Sequence, residues 1–167
     1  AAARAVLPSI SDSEITESLA AFSGTWRRFE YKGKTARGAD VYDDYAHHPT
    51  AIRATLKALR AQTKGEIIVV FHPHLYSRTR DLLNEFAGAF SAADTVFIAP
   101  IYAARETDDG TISSEILAAR IRATGTDAKA LNSFDAIEHA LIRVRNGDTI
   151  MTMGAGDIYK IADKIVV

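Results

Sequence analysis

The sequence predicts an α/β fold, in which a mostly parallel sheet of about six strands is flanked by helices and preceded by an N-terminal hairpin. From Pro49 onward, short apolar segments alternate with amphipathic segments, a pattern typical of strand–helix units. The run Ile67–Phe71 is apolar throughout, as expected for a central strand that is covered on both faces. The chain has 167 residues, which suits about one domain. The predicted architecture is therefore Rossmann-like.

The segment before Pro49 predicts helical turns followed by the hairpin. Asp and Ser are favoured helix N-caps, and a glycine between two polar–apolar alternating segments indicates a turn. The expected elements are a helical tail over 1–10, a helix from Asp12 or Ser13 to Phe22, strands over 27–31 and 35–42, and a turn at Lys32-Gly33-Lys34.

The remainder of the chain predicts five helices and four strands. Ile52, Leu56 and Leu59 recur at helical spacing, and Leu82, Phe86 and Phe90 mark a second apolar helix face. The predicted helices cover 49–61, 77–90, 113–122, 134–145 and 157–165, and the predicted strands cover 67–71, 95–99, 128–131 and 149–153.

Composition excludes several classes of protein. Hydrophobic residues make up 47% and charged residues 25% of the chain, and the net charge of −1 argues against a nucleic-acid partner, which usually requires a basic surface. The absence of cysteine excludes disulfides, thiolate chemistry and cysteine-based zinc sites. No apolar run approaches the ~20 residues of a membrane span, and the Ala-rich start lacks the apolar core of a signal peptide. We therefore expect no membrane association and a cytoplasmic location.

The most informative segment is Asp43–Thr50, where a predicted strand ends and a helix begins. It places two carboxylates, Asp43 and Asp44, and two imidazoles, His47 and His48, beside a helix N-terminus. Free backbone N–H groups and the helix dipole favour anions there, and Pro49 suits the first helical turn. Such a site can hold a nucleotide, with a carboxylate for sugar hydroxyls and imidazoles for phosphate. The alternative is that the aspartates cap the strand end and the histidines are solvated.

Two further segments are expected at the same edge of the sheet. His72–Arg78 and Gly154–Asp157 follow predicted strands, as Asp44–His48 does. Open α/β sheets bind ligands outside the carboxyl ends of their strands. The three segments therefore predict one composite site.

Two glycine-containing segments resemble phosphate-binding motifs incompletely. Gly33-Lys34-Thr35 resembles the end of a P-loop, but the motif requires a glycine where Arg28 stands, so a hairpin turn is favoured. The segment 154–159 resembles a dinucleotide fingerprint, but its third glycine is replaced by Tyr159. This segment is either a tight turn that permits close packing or a loop that lines a pocket.

Histidines and arginines near the second segment leave alternatives open. His72 and His74, together with the pair at 47–48, could bind a transition metal, but Pro73 disturbs the geometry and no fixed ligand spacing supports zinc, so no metal ligand is predicted. Arg78 and Arg80 are expected at a helix start, the unfavourable end for a cation. They indicate either an anionic ligand or solvated surface charges.

Asp44–Pro49 resembles the C-terminal-domain signature of the Mur ligases and folylpolyglutamate synthetases, which use ATP to join an amine to a carboxylate. Three further segments, Phe22–Glu30, Phe71–Thr79 and Gly154–Ile158, are similar to the branch that joins L-alanine to UDP-N-acetylmuramate. The four motifs occur in the expected order across nearly the whole chain. The resemblance implies a C-terminal Mur ligase domain over 23–167, preceded by a remnant of the central ATP-binding domain or a linker helix over 1–22.

The resemblance also implies the cofactors and partners. In this family the carboxylate becomes an acyl phosphate, which the amine attacks, while ATP and Mg²⁺ are held mainly by the central domain. The expected partners are ATP, L-alanine, UDP-N-acetylmuramate and the protein's own N-terminal and central domains. The chain by itself is expected to be inactive and to carry no catalytic residue. Two alternatives remain: a ligase that adds a preformed tripeptide to the same UDP-sugar, and a free-standing nucleotide-binding module.

Roles carry over only to matching positions. The residues implied to contact ATP are Arg28, Asp44 and His47, and those implied to contact the substrate are Tyr45, His48, His74, Arg78, Gly154, Ala155 and Gly156. Arg78 would pair with the alanine carboxylate. The chain departs from the family at Leu75, where arginine is frequent, and at His72, where glutamine is common, so one carboxylate contact is left open.

Overall fold

A computed structural model describes residues 2–22 and 24–167, with the side chains of Ala2 and Ala3 left aside. The described residues form one sheet of six strands, in the order β1-β2-β6-β3-β4-β5. The strands are β1 (Glu30–Lys34), β2 (Asp40–Asp44), β3 (Ile67–Phe71), β4 (Thr95–Ile98), β5 (Asp127–Ala130) and β6 (Thr149–Met153). The helices are α1 (Ala2–Val6), α2 (Asp12–Ala20), α3 (Pro49–Gln62), α4 (Tyr76–Asp81), α5 (Leu83–Ala87), α6 (Ser114–Arg122), α7 (Phe134–Leu141) and α8 (Tyr159–Ile165).

The sheet confirms the predicted fold class. β1 pairs antiparallel with β2, and all other neighbours pair in parallel. β6 is the last strand in sequence and lies between β2 and β3, so its insertion aligns the ends of three strands that are distant in sequence. Within the described ranges, no helix is long and apolar enough to cross a membrane.

The hairpin differs from the prediction. The segment 32–34 is not the turn but belongs to β1, whose register shifts between Tyr31 and Gly33, where Gly33 has φ +130. The turn lies at 35–39, where Gly38 N–H donates to the Thr35 carbonyl (2.8 Å). Gly38 has φ +86, a left-handed conformation that favours glycine, so it rather than Gly33 closes the hairpin. The predicted first strand starts late, at Glu30, because the backbone at 27 and 29 has positive φ.

Several predicted helices are shorter than expected. The helix over 77–90 is divided at Leu82, which has φ −108 and ψ 23, and continues as α5 and a 3₁₀ turn to Phe90. The division lets Phe86 and Phe90 pack against Phe71, with ring centroids 5.5 and 5.2 Å away. α7 ends at Leu141, and α8 begins at Tyr159 rather than 157.

Apolar side chains cover both faces of the sheet. On one face α3, α5 and α6 contribute Leu56, Phe86 and Leu117, and on the other α7 and α8 contribute Ile137 and Ile161. Each fully buried side chain of this size contributes roughly 1.5–3 kcal/mol. Helices packed on both faces therefore hold the strands in place at the edge where their carboxyl ends lie.

Candidate functional site

The three predicted segments meet at one edge of the sheet. β2 ends at Asp44 and β3 ends at Phe71, and both of these residues pair with Met153 at the end of β6. The segments 44–48, 72–78 and 154–157 therefore leave neighbouring strands side by side. The predicted convergence is confirmed.

The centre of this edge is a buried arginine that the sequence did not single out. Arg27 is 2% exposed, and its Nε donates to Asp43 Oδ2 at 2.7 Å. Its Nη1 donates to the Gly156 carbonyl (2.7 Å) and its Nη2 to the Gly154 carbonyl (2.6 Å). We name this arrangement the Arg27 clamp. It ties the turn before β1 to the ends of β2 and β6.

Asp43 serves the clamp and is closed to a ligand. It is 0% exposed, and Thr152 Oγ1 donates to its Oδ1 at 2.6 Å. Burial raises the pKa of Asp43, while the hydrogen bonds from Arg27 and Thr152 oppose that shift. Three aromatic rings, Tyr159, Tyr45 and Trp26, surround the guanidinium at 4.9, 5.3 and 5.7 Å. The doublet at 27–28 and the acid at 43 were the only signals in the sequence for this cluster.

Asp44 anchors the same turn from the other side. Its Oδ2 accepts the Phe29 N–H (2.8 Å), its Oδ1 accepts the Ala46 N–H (2.7 Å), and it is 6% exposed. Arg28 is exposed, and its guanidinium lies 5.4 Å from the Tyr45 ring. Arg27 and Arg28 thus differ, one buried and one exposed, and both lie in the turn before β1.

The two histidines at the start of α3 have different roles. His48 is the N-cap, with Nδ1 accepting the Thr50 N–H at 3.3 Å, and Pro49 occupies the first helical turn as predicted. His47 is half-buried, and its Nδ1 donates to the Tyr45 carbonyl (3.0 Å) while its ring packs on the Tyr45 ring. His47 therefore faces the other site residues, and His48 is turned to its own helix.

His74 and Arg78 form the second part of the site. Arg78 Nη1 lies 3.5 Å from His74 Nδ1, and the His74 ring stacks on Tyr102 at 5.4 Å. Burial lowers the pKa of His74, and the charges of Arg78 and, more weakly, His47 lower it further. We name His47, His74 and Arg78 the basic rim, in which Arg78 supplies the positive charge.

The helix that carries the two arginines is shorter than predicted. Arg78 is the third and Arg80 the fifth of the six residues of α4, which begins at Tyr76, so Arg78 lies near the helix start as expected while both arginines also fall in its last turn. Arg80 pairs with Asp109 at 3.0 Å and Arg78 faces His74. The helix dipole therefore does not distinguish Arg78 from Arg80, but their contacts do.

An open cleft of about 380 Å³ lies between the Arg27 clamp and Tyr102. Four aromatic side chains form most of its walls. It is lined by Trp26, Arg27, Tyr45, Tyr102, Ala155, Gly156, Asp157 and Tyr159. This cleft has the mixed apolar and polar lining expected for a small ligand.

The glycines after β6 pack on His72. A Cβ at Gly154 would lie 2.6 Å from the His72 carbonyl oxygen, and a Cβ at Gly156 would lie 2.7 Å from His72 Nδ1. Both distances are too short for any side chain. The close-packing interpretation of this turn is therefore correct, and because Ala155 and Gly156 also line the cleft, the pocket-lining interpretation is compatible with it.

Among the described residues, no three His, Cys, Asp or Glu side chains are grouped closely enough to hold a metal ion. The structure does not support a P-loop at Gly33-Lys34-Thr35. Gly33 and Lys34 lie in β1, and Thr35 begins the hairpin turn, so no helix follows the P-loop-like segment.

Fold and site together define a Rossmann-like α/β domain with a ligand cleft at the carboxyl ends of its strands. The family model of the Mur ligase, glutamate ligase domain matches residues 27–156. The chain belongs to this family.

Its relatives are longer ligases. The chain is 48% identical over 159 residues to the UDP-N-acetylmuramate–L-alanine ligase of Lachnospira eligens, a match that covers 95% of this chain and 34% of the relative. The solved UDP-N-acetylmuramate–alanine ligase of Thermotoga maritima superposes with a TM-score of 0.77 at 26% identity, over 98% of this chain and 34% of that one. The chain thus spans about one third of the length of these proteins.

A separately solved domain is also similar. It comes from a putative UDP-N-acetylmuramate:tripeptide ligase of Haemophilus ducreyi, with a TM-score of 0.61 and 29% identity, over 83% of this chain and 96% of that one. Because that protein was solved as a domain, a unit of this size can be studied by itself.

Proposed function

We propose that this chain is the C-terminal domain of an ATP-dependent ligase of the cytoplasm that joins L-alanine to UDP-N-acetylmuramate. The observation that carries the proposal is the basic rim beside the cleft, at the edge where the family motifs converge. A guanidinium with neighbouring imidazoles, beside a small cleft of mixed polarity, suits an amino acid and a nucleotide. The 48% identity to a ligase with this specificity narrows the proposal to L-alanine.

We assign residues 23–167 to the C-terminal domain and 1–22 to a linker or a remnant of the central domain. Ser23, at this boundary, lies outside the described residues. α2 contributes no buried residue, and Leu19 and Phe22 are exposed, which supports a segment that belongs to another unit. The protein's own N-terminal and central domains would be its partners.

For ATP, we assign Arg28, Asp44 and His47. Arg28 is exposed and free to pair with a phosphate, and His47 adds a ring at the same edge. Each Asp44 oxygen already accepts one backbone N–H, and one lone pair per oxygen remains for a ribose hydroxyl. These residues fit a nucleotide that touches the domain from outside rather than one that is enclosed by it.

For the amino acid, we assign Arg78 and His74 to the carboxylate, and Tyr45, His48 and the 154–156 turn to the surroundings. Arg78 has no carboxylate partner among the described residues, so its guanidinium is available. His72 is 5% exposed and does not replace the cation missing at Leu75. The alanine carboxylate would therefore depend on Arg78 more than in relatives with two arginines.

The chain supplies no metal step. The described residues hold no cluster of three potential ligands, and the family's Mg²⁺ neutralises phosphate charge during transfer when bound. We assign that metal, the formation of the acyl phosphate and the UDP-sugar to the part of the parent protein outside this chain. The domain alone would bind and orient without catalysing ligation.

The test is phosphate release from ATP by the full-length protein, with UDP-N-acetylmuramate and with or without L-alanine. The proposal expects release that requires both. Release with a tripeptide but not with L-alanine would favour the recycling ligase instead. Release that requires neither would overturn both.

Arg28→Ala in the same assay tests the ATP contact. We expect a Michaelis constant for ATP at least tenfold higher or a turnover tenfold lower, about 1.4 kcal/mol. Calorimetry of ATP with this chain alone tests the third alternative, because a free-standing nucleotide-binding module would bind at micromolar concentration. Wild-type kinetics in Arg28→Ala would remove Arg28 from the site.

A further inference from the structure

His72 lies buried under the cleft with one nitrogen that has no partner. It is 5% exposed, and its Nδ1 is the one buried side-chain nitrogen or oxygen within 2–22 and 24–167 that lacks a hydrogen bond. The Pro100 carbonyl acts on the ring and raises the pKa of His72, against the larger effect of burial. Buried polar atoms without partners are rare in native proteins, so this one requires an explanation.

Among the described residues, Asp157 is the acid that lies within 4 Å of Nδ1. Asp157 Oδ1 is 3.8 Å away, too far for a hydrogen bond, while its Oδ2 accepts from Lys160 Nζ at 3.0 Å. A neutral ring with its proton on Nε2 offers only a lone pair at Nδ1, and a lone pair and a carboxylate do not bind each other. Tyr102 and Phe134 pack edge-on against the ring, and the charged and titratable groups that act on it are Asp157, Arg27 and His74.

We propose that His72 is a positioning residue for the cleft. While its imidazole is neutral, His72 supports the turn Gly154–Asp157. When the imidazole is protonated, His72 draws Asp157 toward the cleft floor. Protonation adds an N–H at Nδ1 and a positive charge that faces Asp157. Closing the gap from 3.8 Å to a normal hydrogen bond moves Asp157 away from Lys160. Because Gly156 packs directly against the His72 ring, the turn Gly154–Asp157 moves together with Asp157.

The charges around His72 favour this approach of Asp157 to the protonated ring. Burial lowers the pKa of His72, and Asp157 is the largest influence that raises it, so the protonated ring gains most by approaching Asp157. The charges of His74 and Arg27 lower the pKa of His72. The inference concerns the cleft of this chain and does not depend on the proposed ligase activity.

Trp26 is a native reporter of this movement. It is the single tryptophan of the sequence, it is 63% exposed, and its ring meets Tyr159 edge-on at 5.5 Å. Tyr159 follows Asp157 by two residues and lines the same cleft. A shift of the turn therefore changes the environment of Trp26.

The test is Trp26 emission of the 167-residue chain from pH 8 down to pH 4, because burial holds the pKa of His72 below its usual range, with circular dichroism to verify that the fold persists. We expect a one-proton transition in the wild type and in the control His139→Gln, whose histidine is exposed. We expect no transition in His72→Gln, which keeps a donor and an acceptor but cannot titrate, or in Asp157→Asn. A flat wild-type curve, or an unchanged transition in either variant, would overturn the proposal.

Asp157→Asn alters an accessible side chain, so it tests the proposal even if His72→Gln does not fold. Nitrogen chemical shifts of the His72 ring give a second measurement. We expect the proton on Nε2 at pH 8 and on both nitrogens in acid. A proton on Nδ1 at pH 8 would contradict the proposed neutral state.

Discussion

Arg27 and Asp43 form an ion pair (2.7 Å) that is buried at the centre of the candidate site. Thr152 donates a further hydrogen bond to Asp43, and the carbonyl groups of Gly154 and Gly156 accept from Arg27. The two side chains are 3% and 1% exposed, and the pair holds the turn that presents Arg28 outward. The residue next to a proposed ligand-binding arginine is therefore a structural one.

Arg27→Ala should lower the free energy of unfolding by about 3–5 kcal/mol, because it leaves the Asp43 carboxylate buried without its cation. Urea denaturation followed by circular dichroism measures this. Arg28→Ala is the matched control and should change stability by less than about 0.5 kcal/mol, since Arg28 is exposed. Equal losses in the two variants would mean that the clamp has been assigned to the wrong arginine.

Gly156→Ala should destabilise the domain by about 1–3 kcal/mol, because the new methyl group overlaps the His72 ring. Gly88→Ala is the control: a Cβ there meets nothing within 4 Å, and its backbone φ is −81. That change should be neutral or stabilise by up to about 1 kcal/mol. Thermal unfolding of both variants decides the matter, and a tolerated Gly156→Ala would show that the turn is loosely packed.

Ala104→Gly should raise the free energy of unfolding by about 0.5 kcal/mol. Ala104 has φ 53, and relief of a left-handed alanine, about 1–2 kcal/mol, exceeds the entropy that glycine adds to the unfolded chain, about 0.4–1 kcal/mol. Ala103→Gly, at a residue without positive φ, should instead lower stability. The prediction fails if denaturant midpoints of the two variants shift in the same direction.

Stability should fall in acid partly through His74. Burial and Arg78 place its folded pKa below the unfolded value of about 6.5, so the unfolded chain binds the proton more tightly. The contribution is complete above pH 6.5 and is lost as the pH falls from there through the folded pKa, at no more than about 1.4 kcal/mol per pH unit. Unfolding between pH 8 and pH 5 should show a shallower fall in His74→Gln than in the wild type. An identical slope would mean that His74 does not titrate below its ordinary range.

Sequence patterns predicted the elements with strong periodicity and the edge at which the motifs meet. Ile52, Leu56 and Leu59 are buried on α3 as their spacing requires, and strand ends in a parallel sheet necessarily share one edge. The prediction failed where backbone geometry depends on distant partners. The turn at 27–29 has left-handed residues, which contacts with residues distant in sequence, among them Asp43 and Asp44, compensate.

The candidate site was likewise predicted only in part. The motif residues were found, but residue patterns contain no distances. They could not distinguish the buried Arg27 from the exposed Arg28, or the packed His72 from the stacked His74. Tyr102 and Asp157 join the cleft from a loop and a turn whose positions no periodicity determines. Such residues require the tertiary structure.

The most direct test of the account compares Arg78→Ala with Arg80→Ala in the full-length protein, with phosphate release measured against L-alanine concentration. Both arginines lie in the last turn of α4, but Arg78 faces His74 and Arg80 pairs with Asp109. We expect a Michaelis constant for L-alanine at least tenfold higher in Arg78→Ala, about 1.4 kcal/mol, and no comparable change in Arg80→Ala. Equal constants in both variants and the wild type would contradict an amino-acid site at the basic rim.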